Sequence, residues 1–285
     1  MPKGISLHIG LNKVDPAHYD GWNGALTACE FDAKDMAALA KAQKFKTKTL
    51  LTAQATADAV ITAVTDAANQ LKAGDFFLFT YSGHGGQVPD KNGDEKDGLD
   101  ETWVLYDREL IDDELYRLWA LFAPGVRILV LSDSCHSGTV TRARLYEAVA
   151  TQPEIEELAP PIVPRFRVMP GHVNERGSLQ NRVYTKNKEL YDGIQKQTRA
   201  GDTVAVNASV LLISGCQDNQ LSSDGNRNGL FTQMLLKTWN KGEFSGSYSK
   251  FHKTILQRMP PWQSPNFYRA GARDARFEAE SPFTV

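Results

Sequence analysis

Apolar runs and polar breaks follow one another along this chain in a strand–helix rhythm. Ile5–Gly10 alternates and predicts a first strand, with a loop to about Gly24. From Ala25 to Lys44 the apolar positions Leu26, Cys29, Met36, Leu39 and Ala40 recur at helical spacing, and Thr47–Leu51 reads as a short strand. Thr56–Leu71 is a helix pattern, with Thr56 or Asp58 near its start and Gly74 beyond its end. Two stretches differ from the rest. Asp75–Gly86 and Val126–Gly138 each begin as a continuous apolar run, expected of a strand buried on both faces, and each stops abruptly at small polar residues. Between them come an acidic, glycine-bearing loop (90–101), a strand at Thr102–Tyr106 and a helix at Asp112–Phe122, whose acidic opening suits a helix amino terminus. Further on, Val210–Ser214 predicts a strand, Gly229–Trp239 and Ser247–Met259 helices, and Asn266–Tyr268 a last strand. Such alternation predicts an α/β domain with a mainly parallel central sheet flanked by helices.

Residues 139–203 interrupt the rhythm. Prolines stand at 153, 160, 161, 164 and 170, arginines and lysines are scattered, and the one helical pattern lies around Lys186–Gln197. The expected organisation is therefore a larger part, 1–138, an irregular insert, 139–203, and a smaller part, 204–285, together forming one domain. A long irregular insert in a compact domain usually has a functional reason.

The chain is 285 residues long, enough for a full core, and its 41% hydrophobic and 23% charged content is that of a globular protein. A net charge of −2 lacks the basic excess of a nucleic-acid binder. The amino terminus shows no signal-peptide core, and no apolar run approaches the ~18–20 residues that span a bilayer, so no membrane partner is expected. Cys29, Cys135 and Cys216 are widely spaced, which fits a reduced, cytoplasmic protein better than a disulfide framework.

The candidate chemistry sits where the two apolar runs end, at Ser82-Gly-His-Gly-Gly86 and Asp133-Ser-Cys-His-Ser-Gly138. If the strands are parallel neighbours, His84 and Cys135 emerge at one sheet edge, the usual location of sites in open α/β sheets. An imidazole beside a thiol lowers the thiol pKa from ~8.5 and creates a nucleophile. The flanking glycines let backbone N–H groups reach a developing oxyanion. Asp133, two positions before Cys135, shares its side of the strand and suits a pocket for a cationic side chain. His136 faces the other way, and Cys216, at the end of an apolar strand, reads as structural.

Tyr81-Ser-Gly-His-Gly-Gly86 followed by Asp133-Ser-Cys-His-Ser-Gly138 resembles the caspase-like cysteine peptidases, in their metacaspase and orthocaspase branch. Asp97-Gly-Leu-Asp-Glu101, Ile111-Asp-Asp-Glu-Leu115, Ser214-Gly-Cys-Gln-Asp218 and Gly229-Leu-Phe-Thr232 match in the same order. The resemblance implies a caspase-haemoglobinase fold with His84 as general base, Cys135 as nucleophile and the N–H groups of Gly85 and Cys135 as oxyanion donors. It implies that Asp32, Ser82 and Asp133 line the pocket for the residue before the scissile bond, with Asp218 a further candidate. That acidic lining implies polypeptide substrates cut after Arg or Lys. In calcium-activated members the matching ligands would be Asp100, Asp112 and Asp113, which makes a calcium ion a candidate activator, with no cofactor required. Those members also carry an acidic residue shortly after the nucleophile, and 139–144 here holds none. The basic residues of the insert, Arg165, Arg167, Arg176, Arg182, Lys186, Lys188 and Arg199, become candidates for self-cleavage. A monomer is expected. The competing readings are a non-catalytic scaffold built on the same sheet, and another cysteine hydrolase or transferase.

Overall fold

The computed structural model describes residues 2–93, 95–135, 165–197, 204–216 and 222–285. Its centre is a six-stranded sheet. The strands are β1 (Gly4–Gly10), β2 (Lys46–Leu51), β3 (Phe76–Ser82), β7 (Arg127–Asp133), β9 (Ser209–Ser214) and β11 (Asn266–Gly271), in the order β11-β9-β7-β3-β1-β2. All neighbours pair in parallel except β11, which runs antiparallel to β9 at one edge. The expected parallel sheet is thus present, and β3 and β7 are adjacent with Ser82 opposite Asp133.

Their composition explains their position. Every residue of Phe76–Ser82 and of Arg127–Asp133 is buried, so both faces of each strand need apolar cover. Alternation divides that cover. Phe77, Phe79, Ile128 and Val130 pack with helices α2 (Ala57–Gln70) and α3 (Asp112–Ala120) through Val60, Val64, Leu115 and Leu118. Phe76, Leu78, Leu129 and Leu131 meet α1 (Cys29–Ala42), α6 (Leu230–Trp239) and α7 (Tyr248–Leu256) on the other face through Met36, Leu39, Phe231, Leu235 and Phe251. Thr56 caps α2 by accepting the Ala59 N–H.

Three features depart from the expectations. Helix α1 begins at Cys29 rather than Ala25, because residues 25–28 run as loop beside Asp224, which accepts the N–H groups of Thr27 and Ala28. A separate antiparallel sheet, β4 (Gly85–Pro89), β5 (Leu99–Val104) and β6 (Glu109–Ile111), grows directly out of the His84 motif. In the insert, 165–197 is ordered structure: strand β8 (Arg165–Phe166), then two helices, α4 (Leu179–Lys186) and α5 (Lys188–Gln197), where a single one around 186–197 was expected. Strand β8 pairs antiparallel with β10 (Ser223–Asp224). A short last helix, α8, covers Ala275–Ala279.

Candidate active site

The site forms where β3 and β7 leave the sheet side by side. His84 follows β3 by two residues, and its buried ring packs against Trp22 with centroids 4.8 Å apart. Its Nε2 lies 3.0 Å from the Gly24 carbonyl, which can only accept, so Nε2 carries the hydrogen. Gly24 adopts φ +55°, and a Cβ there would stand 3.3 Å from the imidazole; the glycine lets the carbonyl reach the ring. Burial lowers the His84 pKa to about 4, with the Gly24 carbonyl pulling the other way, so the imidazole is neutral at physiological pH. In that tautomer Nδ1 holds a free lone pair, and it is buried with no hydrogen-bond partner among the described residues.

Cys135 is fully buried. Its Sγ accepts the Ser222 N–H, and the Cys216 thiol lies 3.0 Å away. Burial pushes the Cys135 pKa well up, with Cys216 adding to the rise, so the resting group is a thiol. Cys216, read from sequence as structural, is a direct neighbour of the nucleophile candidate.

What unites the two motifs is a single carbonyl oxygen. The N–H of Gly85 (3.0 Å) and the N–H of Cys135 (3.1 Å) both donate to the backbone oxygen of Arg167. These are the two donors the resemblance implied, one beside the histidine and one on the cysteine. Arg167 lies in the insert, and its side chain has no solvent exposure.

The guanidinium of Arg167 fills an acidic pocket. Its Nη2 lies 2.7 Å from Asp32 Oδ2 and 3.1 Å from Asp224 Oδ1, and its Nη1 lies 2.9 Å from Asp133 Oδ2. Charged groups without solvent need partners for every lone pair, and the carboxylates have them. Asp32 accepts from Ser82 Oγ (2.8 Å), Asn228 Nδ2 (3.0 Å) and the Gly229 N–H (3.1 Å). Asp133 accepts from Ser222 Oγ (2.5 Å), the Thr232 N–H (3.1 Å) and Thr232 Oγ1 (2.7 Å). Burial raises the Asp32 pKa to about 6; the Arg167 charge lowers it and Asp133 raises it further. Gly229 leaves room for the ligand, since a Cβ there would stand 2.5 Å from Cζ and both terminal nitrogens.

Asp32 and Asp133, about a hundred residues apart in sequence, thus meet around one cation, with Ser82 behind Asp32. Asp218 and His136 lie outside the described residues. Asp224 and Gly229 were missed as pocket residues. Gly229 opens the Gly-Leu-Phe-Thr motif already noted, whereas Asp224 sits on a two-residue strand with no pattern of its own.

A second acidic group lies at β5 and the start of α3. Carboxylate oxygens of Glu95, Glu101 and Asp112 lie within 4.8 Å of one another. Of the three expected ligands only Asp112 belongs to this cluster. Asp100 and Asp113 act on it through charge: burial, then Glu101, Asp100 and Asp113, push the Asp112 pKa well above the usual carboxylate range. Asp113 Oδ2 accepts Asn92 Nδ2 at 2.6 Å. Asp90 organises the intervening loop by accepting the N–H groups of Asn92, Gly93 and Glu95. A crowded all-oxygen donor set, with Asp112 pushed up by neighbouring negative charge, fits a hard divalent cation.

A parallel α/β sheet that brings a histidine motif and a cysteine motif together on one carbonyl oxygen, above an acidic pocket, is the arrangement of a caspase-like cysteine peptidase. The family model described as "Caspase domain" matches residues 12–275, and the chain belongs to that family, in its metacaspase branch. Metacaspase-1A of Aspergillus fumigatus is 31% identical over 251 residues, covering 80% of this chain and 58% of its own. Metacaspase-1 of Coccidioides immitis is 31% identical over 250 residues, covering 81% of this chain and 52% of its own. The chain thus spans little more than half the length of these relatives. Among solved structures, protein GSU0716 from Geobacter sulfurreducens is 53% identical with a TM-score of 0.86, covering 100% of this chain and 99% of that one. Caspase-1 from Spodoptera frugiperda shares the fold at 11% identity, with a TM-score of 0.54 over 95% of this chain and 88% of that one.

Proposed function

We propose that this protein is a cysteine endopeptidase that cleaves polypeptides after arginine or lysine. The observation carrying this reading is the seating of Arg167, with its guanidinium among three aspartates and its carbonyl oxygen on two backbone N–H groups. In the proposed reaction Cys135 attacks the carbonyl carbon after the basic residue while His84 takes the thiol proton at Nδ1. The N–H groups of Gly85 and Cys135 hold the oxyanion, and His84 then protonates the leaving amine. A neutral imidazole with an unoccupied Nδ1 supports the base role, because only the unprotonated ring can accept. The resting thiol supports a general-base step rather than a preformed ion pair. Asp32, Asp133 and Asp224 hold the cation by charge-assisted hydrogen bonds, and Ser82 orients Asp32 by donating to it.

Calcium is the proposed activator. The carboxylates of Glu95, Glu101 and Asp112 would hold it, with Asp100 and Asp113 adding negative charge around them. The ion would relieve like-charge repulsion at the foot of α3, next to the sheet that starts at Gly85.

The test is a panel of fluorogenic peptides ending in Arg, Lys, Asp or a neutral isostere of Arg, assayed with calcium and with chelator. Hydrolysis after Arg and Lys alone is expected, and Cys135→Ala should abolish it at an unchanged Tm. Equal hydrolysis after Asp would refute the specificity. Full activity of Cys135→Ala would refute the nucleophile. No hydrolysis, together with no labelling by an arginine-ending thiol-reactive peptide, would favour the scaffold reading.

A further inference from the structure

We propose that Tyr191 and His18 are positioning residues for the catalytic imidazole: helix α5 of the insert sets the place and tautomer of His84 through a row of rings. The inference rests on the peptidase reading above and adds what holds the general base in register.

The row is continuous. The Tyr191 hydroxyl and His18 Nε2 are hydrogen-bonded at 2.7 Å, and the two rings meet edge to face with centroids 5.9 Å apart. His18 meets Tyr19 at 4.8 Å, Tyr19 meets Trp22 at 6.1 Å, and Trp22 packs on His84 at 4.8 Å. Ring contacts at these distances are directional, so each ring limits the tilt of the next. Trp22 also stands two residues before Gly24, whose carbonyl accepts the His84 Nε2–H. One short stretch of chain therefore fixes the plane of the imidazole and the nitrogen that carries its hydrogen, and with it the free lone pair at Nδ1.

That stretch needs support from outside. Asp20 adopts φ +52°, a left-handed conformation costly for a residue other than glycine, and Gly21 and Gly24 stand at +84° and +55°. Such backbone persists only where the surrounding structure over-determines it. Here the surroundings are the two insert helices. Arg182 Nε donates to Asp20 Oδ2 at 2.7 Å, Lys186 Nζ to the Ala17 carbonyl at 2.6 Å, and Asn187 Nδ2 to the His18 carbonyl at 3.2 Å. The first two of these bonds are exposed and hold weakly. The bond to His18 comes instead from a fully buried tyrosine, where water cannot take over its role.

Tyr191 is itself anchored. Its oxygen accepts the Glu109 N–H of β6 at 3.2 Å. One turn further along α5, Gln195 accepts the Lys91 N–H at 2.7 Å and donates to the Pro89 carbonyl at 3.0 Å. Strand β6 belongs to the sheet whose first strand opens at Gly85, next to His84. The contacts thus close a circuit: from His84 through Gly85 and β4–β6 to Tyr191, then back through His18 and Trp22. The imidazole and the Gly85 oxyanion donor share one frame. A phenylalanine at 191 would fill the same space and leave the circuit open, because it has no hydroxyl to bond.

The experiment follows the His84 ring nitrogens by NMR in the full chain, assigned by their loss in His84→Gln, alongside Tm and the kcat and KM for arginine peptides. Tyr191→Phe removes only the hydroxyl; His18→Phe keeps a ring and removes the other half of the bond. Each should shift His84 from the single Nε2–H tautomer towards a mixture. Each should also lower kcat about fivefold, the factor one hydrogen bond carries, with KM moved less than about twofold. Both variants break the same bond, so the double variant should fall within about twofold of the worse single one. Tyr184→Phe is the control: its hydroxyl bonds Asp192 at 2.7 Å, off the row, and its loss should leave kcat and the His84 signals as in wild type. Unmoved His84 signals in both Phe variants, equal losses in Tyr184→Phe, or losses that multiply in the double variant would overturn this inference and leave the peptidase reading standing. A wild type that hydrolyses no peptide, yet whose His84 signals respond to Tyr191→Phe, would overturn the peptidase reading alone.

Discussion

Replacing Gly229 by alanine probes the pocket by shape alone. Gly229 has φ −60°, so alanine fits the backbone without strain. Its added methyl, however, would stand 2.5 Å from the guanidinium carbon and both terminal nitrogens of a seated arginine, about 1 Å inside ordinary contact. The guanidinium cannot retreat freely, because it is bonded to Asp32, Asp133 and Asp224 at 2.7–3.1 Å. Moving it by that distance breaks at least one charge-assisted hydrogen bond, a loss of about 1.5–3 kcal/mol. That corresponds to a fall in kcat/KM of about 10- to 150-fold for arginine peptides. Lysine ends in a compact ammonium rather than a planar fork, and its kcat/KM should change by less than about threefold. Because Gly229 also caps α6, alanine should lower stability by up to about 1 kcal/mol, visible in Tm and separable from the kinetic effect. The assay is parallel kcat/KM measurement with peptides differing only in Arg or Lys. An equal fall for both, or no fall for arginine, would refute the close packing on which the pocket assignment depends.

Two further outcomes follow from the titrating groups. With the cation in place, burial raises the Asp32 pKa to about 6 while the Arg167 charge holds it down. Cationic substrates bind the ionised form; kcat/KM for arginine peptides should therefore drop as pH falls through this range, while His84, lowered to about 4, stays neutral throughout. Asp32→Asn should remove this acid limb, and an identical limb with a neutral-side-chain peptide would show that the pocket is not its source. At the acidic cluster, the raised Asp112 pKa means that ionising this carboxyl costs the calcium-free fold stability, an effect absent at low pH that grows as pH rises above the ordinary carboxylate range and levels off beyond the raised pKa. Asp112→Asn should therefore raise Tm without calcium at neutral pH. Calcium at about a hundredfold excess over Kd should stabilise the wild type by ~2.7 kcal/mol and leave the variant unmoved, as read by calorimetry. A calcium response retained in the variant would locate the ion elsewhere.

Strong local signals made much of this legible in the sequence. The two apolar runs at 76–81 and 126–131 had to be buried on both faces, and only the middle of a parallel sheet offers that. With the strands in register, the period of two fixed which side chains leave together, and His84, Cys135, Ser82 and Asp133 followed. Chain order and spacing carried no comparable information about the insert. Arg167 was one of seven basic residues without distinguishing context, and its burial against three aspartates depends on contacts 34 to 135 residues distant in sequence. Asp224 was missed for the same reason: a two-residue strand has no periodicity, and its partner, β8, was not legible as a strand. Glu95 and Glu101 entered the acidic cluster through the fold of the 90–101 loop around Asp90, which composition does not encode. Hydrophobic periodicity is a local property read along the chain, and it determined the sheet and the strand ends that carry His84 and Cys135. Charge pairing in a desolvated pocket is a property of groups brought together from far apart, and only the tertiary structure could decide which arginine would be held there.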